Sequence, residues 1–279
     1  MRKLSLCVAL VALSQVAISR AAFAETTVIN TGVTTTQGPS TPQLDGDDTL
    51  IITNSGSITS SGFDTRAIST SGNSNIITNS GSITTSGELS EAVLISGDSN
   101  IITNSGSITT SGSTGHGVYA YGSSNTVTNS GSITTSGDYG RGVEAIGDYN
   151  IITNSGYITT SGLRGYGVYA YRASFDTITN SGAITTSGSY GHGVYAYGSS
   201  NTITNSGSIN TSGIYGPGVF AQGASNTITN SGSVTTSGAD AYGVWAAGDF
   251  NTITNSGSCL LYTSPSPRDR TRSRMPSSA

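Results

Sequence analysis

The sequence predicts an all-β fold, a solenoid of parallel strands with about 25 residues per coil and three short strands in each. Three observations carry this. The tetrapeptide Thr-Asn-Ser-Gly recurs with its Asn at Asn54, Asn79, Asn104, Asn129, Asn154, Asn180, Asn205, Asn230 and Asn255, in steps of 25 residues with one of 26. Apolar residues, mostly β-branched, recur with it at fixed offsets and alternate with polar ones at period two. No 3.6-residue apolar stripe runs through the repeats, so helices are not expected.

The chain divides into four parts. Residues 1–24 read as a secretory signal: Arg2 and Lys3 form a basic start, Leu4 to Ile18 is mostly apolar, and Ala22-Phe23-Ala24 is a small-x-small cleavage site. The apolar run is too short for a spanning helix, so removal is expected rather than anchoring. Residues 25–49 hold a degenerate coil, with Val28, Asn30, Gly32 and Gly38 at the expected offsets. Pro39, Pro42, Asp45, Asp47 and Asp48 would blunt that end. Residues 50–258 are the repeats. From Cys259 the text becomes CLLYTSPSPRDRTRSRMPSSA, where repetition stops and arginine and proline enter. Residues 259–279 resemble the in-frame translation of a sequencing adapter. They are read as a non-native tail that adds no strand, and the native chain is expected to continue past residue 258.

One coil shows the logic. Its strands are expected at Thr126 to Asn129, Ser132 to Thr135 and Gly142 to Ile146. Gly131, Gly137 and Gly147 fall at the bends, where positive φ suits glycine. Val127 and Ile133 would rest on their copies about 4.8 Å away in the next coil. A slip of one residue would turn the apolar set outward. The marker Asn has the parity of the apolar residue two places before it. A buried ladder of amides through the nine marker asparagines, Asn54 to Asn255, is therefore expected. The single extra residue lies within Arg172 to Asp176.

Between residues 25 and 258 there are fourteen acids against four arginines, Arg66, Arg141, Arg164 and Arg172. An acidic excess of that size excludes nucleic acid and anionic membrane as partners, since both need clustered cations. The two cysteines, Cys7 and Cys259, lie outside that span, so disulfides cannot hold it together.

Gly/Asn/Ser/Thr-rich coils of the form ITNSGSITTSG…GVYAYG behind a signal peptide resemble the passenger region of bacterial autotransporters. The resemblance covers residues 25–258. It implies a right-handed parallel β-helix, exported to the cell surface or outer membrane. It also implies an adhesin-like binding role and a translocating outer-membrane β-barrel in the missing continuation.

Chemistry is sparse. His116 and His192 are expected as exposed turn residues, three coils apart and too distant to share a metal ion. Asp98, Asp148 and Asp249 recur in a turn and read as turn formers. No P-loop, nucleophile elbow or tandem calcium repeat is present. No cofactor, metal or catalytic residue is assigned, and a polysaccharide-active enzyme is the lesser alternative, since the arginines look scattered. The candidate adhesive face is the outward side of the third strand. It comprises Tyr119, Tyr121, Tyr169, Tyr171, Tyr195, Tyr197, Phe220 and Trp245, with Glu144 and Ile146 among them. Its ligand would be a glycan or a protein surface. A second alternative is ice binding, through outward pairs such as Thr126 with Thr128 and Thr202 with Thr204.

Overall fold

The computed structural model describes residues 25–30, 32–35 and 43–261. The expected signal, Gly38, Pro39, Pro42 and most of the tail lie outside the described residues. The described chain is a parallel β-solenoid. Its strands form two ten-stranded sheets and one nine-stranded sheet, and each strand pairs only with its copies in the coils before and after. In the coil used above the strands are Thr126–Asn129, Ser132–Thr135 and Val143–Ile146. Like sits on like in strict register, as with Val127 on Ile102 and Ile152, and Ile133 on Ile108 and Ile158. Four-residue strands cannot bury a core alone. Stacked in register, their Ile, Val and Ala side chains merge into one continuous buried cluster.

The interior is polar as well as apolar. From Asn79 to Asn255 each marker amide donates its Nδ2 to the Oδ1 of the next at 2.7 Å, through seven steps. A second buried column, not foreseen as a ladder, runs four places ahead through Asn75, Asn100 and Asn125. Each of its backbone N–H groups donates to the next Oδ1, at 2.8 Å from Asn75 and 2.9 Å from Asn100. A third column, Thr85 to Thr211, turns each hydroxyl onto the carbonyl five residues on, as Thr135 does on Gly140 at 2.9 Å. Buried polar groups are affordable only when paired, and stacking supplies the partner.

Several expectations need correction. Asn54 is exposed and sits in a turn. The strand Thr49–Ile52 pairs so that Ile52 faces Asn79 and Leu50 faces Ile77. A two-residue shift keeps parity, so two apolar residues take the inward slots and the amide is pushed out. The degenerate coil is offset as well. Ile29, not Val28, faces Ile52, and Gly32 pairs with Ser57, so Asn30 falls outside the strands. Asp48 does not blunt the end. It is buried, its carboxylate accepts the N–H groups of Glu25 and Asp45, each at 3.0 Å, and it heads the second amide column. Gly131 and Gly137 are glycine for space, not for φ. A Cβ on either would lie 2.0 Å from a carbonyl oxygen of the coil before, whereas Gly147 does take positive φ, at 110°. Finally, Ser258–Leu261 forms a strand, placing Cys259 beside Val234. An open parallel edge presents unpaired N–H and C=O groups, and the backbone of the tail's first residues takes them up.

Replacing the fully buried Ile133 by Asp should cost several kcal/mol, while Thr134→Asp on the exposed side should cost little. Denaturant midpoints decide, and equal losses would contradict the packing. Asn129→Ala should cost about 1–3 kcal/mol for each ladder partner left unpaired. Asn54→Ala should stay within about 0.5 kcal/mol, as expected of a surface site.

Candidate functional site

The variable residues of the repeat gather on the outside of the third sheet and on the loop that precedes it. On the sheet, Tyr119, Glu144, Tyr169, Tyr195, Phe220 and Trp245 form one cross-strand column. Tyr121, Ile146, Tyr171 and Tyr197 form the next. Parallel stacking lays ring on ring. Centroids are 5.0 Å apart for Tyr169 and Tyr195, 4.8 Å for Tyr195 and Phe220, and 4.4 Å for Phe220 and Trp245. Offset stacks at these distances are attractive beyond the area they bury.

A third column flanks the sheet. His116, Arg141, Tyr166, His192 and Tyr242 occupy the same loop position in successive coils, apart from Pro217 between the last two. Tyr166 stacks flat on His192 at 4.8 Å and meets Tyr169 edge-on at 5.0 Å. This loop column covers the near side of the sheet column. Tyr169 and Phe220 are therefore only 7% and 8% exposed although they point outward, while Tyr121 and Tyr197 stand at 55% and 36%. Farther out on the loop, Tyr139, Tyr190 and Tyr215 take left-handed backbone at φ 56–59°. The conformation lets each N–H reach a carbonyl of the following coil, as Tyr190 reaches Ile214 at 2.7 Å. A groove of about 490 Å³ runs between these rings and the sheet, lined by Tyr190, Tyr215, His192, Phe220, Tyr242 and Trp245 among others.

Neither histidine is an exposed turn residue. His116 is buried at 3% exposure, and His192 is half-buried beneath the rings. The arginines are not all scattered either. Arg141 Nη1 donates to the buried Glu144 carboxylate, whose Oε2 also lies 3.2 Å from His116 Nε2. The backbone N–H of Arg141 donates to His116 Nδ1 at 3.1 Å, so Nδ1 is unprotonated and Nε2–H is the donor to Glu144. Arg141 also lies over the Tyr169 ring at 4.7 Å. Three coils before Arg141, Arg66 pairs with Glu91 at 2.8 Å and with Asp64 at 2.9 Å. The sequence concealed the contacts that cross between coils, Arg66 with Glu91 and His116 with Glu144.

Burial pushes His116 down to about 3, helped by the nearby Arg141 charge, and His192 down to about 4. Burial raises Glu144 against the lowering effect of Arg141. It also raises the Tyr195 phenol to about 12, and that hydroxyl donates to Gln222 at 2.6 Å. Buried at 3% exposure, with Oε2 shared between Arg141 and His116, Glu144 locks the cluster. Asp98 and Asp148 accept turn N–H groups of the next coil at 2.8 Å, which is how they form turns. Among the described residues no group of three or more His, Cys, Asp or Glu is placed to hold a metal ion.

Ring-proton NMR should show His116 neutral down to about pH 3 and His192 down to about pH 4. Unfolded histidine titrates near 6.5, so both contribute stability that is present above that pH and lost as pH falls toward those values. His116→Gln should flatten part of the acid loss. A His116 that titrates near 6.5 would show the cluster open to water.

No curated protein and no solved structure matches the chain. A family profile described as the BigA third pectate lyase-like domain matches residues 8–149 and 151–274. With nearly its whole length covered, and with a parallel β-solenoid as its fold, the chain belongs to the family of BigA third pectate lyase-like domains, a β-helix family.

Proposed function

We propose that the chain is an exported, surface-displayed binding scaffold of the adhesin kind, the passenger of an autotransporter whose translocating β-barrel lies in the native continuation. It binds a glycan or a protein surface and is not an enzyme. One observation supports this above the others: the ring columns of the third sheet run in register beside an aromatic-lined groove, with Tyr121, Tyr197 and Trp245 open at 55%, 36% and 43%. Such rings offer rigid amphipathic area at low entropic cost, and their hydroxyls hydrogen-bond sugar or peptide. The acidic excess keeps nucleic acid away from the same surface.

Binding of the purified chain to a glycan array, and to candidate surface proteins, tests the reading. Tyr121→Ala with Tyr197→Ala should weaken capture at least about tenfold, the loss of about 1.4 kcal/mol, without shifting the melting temperature. Retained capture would move the site off this face.

The first sheet favours a second reading. Thr177, Thr202, Thr227 and Thr252 align outward in register, as do Thr179, Thr204, Thr229 and Thr254. Two regular ranks of hydroxyl and methyl groups are a surface suited to ice. Thermal hysteresis in the purified chain would establish that role, and its absence would remove it.

A further inference from the structure

The second amide column contains one acid where every neighbour is an asparagine. Below its head at Asp48 the column runs Asn75, Asn100, Asn125, Asn150, Asp176, Asn201, Asn226 and Asn251. Asp176 is fully buried. Its Oδ1 accepts the N–H of Asn150 at 2.7 Å, and its own N–H donates to Asn201 Oδ1 at 2.9 Å. These are the contacts that its neighbours make. Its other oxygen, Oδ2, is buried without a partner.

In the flanking members the equivalent atom is an amide nitrogen. Asn150 Nδ2 donates to the Gly147 carbonyl at 2.7 Å, and Asn201 Nδ2 donates to the Ala173 carbonyl at 2.8 Å. The column therefore sets turn carbonyls, which are acceptors, around a slot meant for a donor. Asp48 shows the contrast, since backbone N–H groups reach both of its oxygens. The charged group acting on Asp176 is Asp148 of the preceding coil, held by its bond from the Ser174 N–H at 2.8 Å, and its sign is the same. Arg172 offers no relief, because its guanidinium lies over the Tyr171 ring at 5.0 Å. Asn150 and Asn201, above and below, do not titrate. The turn also holds the extra residue of the Asn-marked repeats, pairing Ile151 with Thr177 at a spacing of 26.

We propose that Asp176 is held as the neutral carboxylic acid, its Oδ2–H standing in for the missing amide donor, and that loss of this proton makes the 172–176 turn a pH-sensitive joint in the solenoid. Burial first, and Asp148 after it, push the group up from 3.8 to about 7, against the lowering effect of the Asn150 N–H. The sign follows. Between about pH 4 and pH 7 the folded chain keeps a proton that the unfolded chain has lost, so stability falls as pH rises through that window and is level beyond it. One proton corresponds to a fall of about tenfold per pH unit in the folded-to-unfolded ratio. The joint carries Phe175, stacked on Tyr149 at 5.0 Å, beside the aromatic face. The inference does not depend on what that face binds.

The test compares the full chain with Asp176→Asn, which restores the column's own chemistry. Carboxyl ¹³C NMR should place the Asp176 midpoint near 7. The variant's advantage in denaturant midpoint should grow from pH 4 to pH 7 and then stay constant. At pH 8 the amides of Asn150 and Asp176 should exchange at least about tenfold more slowly in the variant, the ratio expected from one pH unit of linkage. An Asp176 midpoint near 4, or a variant that tracks the parent at every pH, would overturn the proposal.

Discussion

Everything in this molecule depends on the parallel hydrogen bonding of one coil to the next in a register of 25 residues. No coil has a core of its own. Ile133 is buried because Ile108 and Ile158 lie on either side of it, and the same holds for Asn129 between Asn104 and Asn154. A residue inside the solenoid is thus solvated by copies of itself. This permits an interior rich in amides and hydroxyls, since a side chain that both donates and accepts can pair endlessly with its own kind.

The same constraint separates the invariable positions from the free ones. Inward slots accept only residues that stack on their copies, and the bends accept only glycine where the carbonyl of the coil before comes too close. The outside of the third sheet and its loop escape both conditions. There the repeat departs from itself most, with tyrosine, histidine, arginine, glutamate and tryptophan in equivalent places. Variation is therefore concentrated on this face, and the scaffold beneath it need not change. Asp176 is the notable departure on the inside, and its unpartnered oxygen shows what such a change costs.

Much of this was legible in the sequence because repetition encodes it twice. The period gave the coil, alternation gave the inward face, and the parity of the marker Asn with Ile gave the ladder. Asn54 was misjudged because a shift of two residues conserves parity, so the apolar pattern Leu50, Ile52 fits either register. The purpose of Gly131 and Gly137 was misjudged because their limit is distance to another coil rather than local conformation.

The sequence alone determined the architecture, the register over most of its length and the candidate surface, since each is a property of one coil repeated. Only the tertiary structure decided what lies between coils and loops. It joined Arg141, Glu144 and His116, buried outward-pointing Tyr169 and Phe220 beneath the loop column, and left Asp176 with an unanswered oxygen. Those outcomes depend on which different residues meet across a stack or around a corner, and a repeat pattern is silent about contacts between unlike positions.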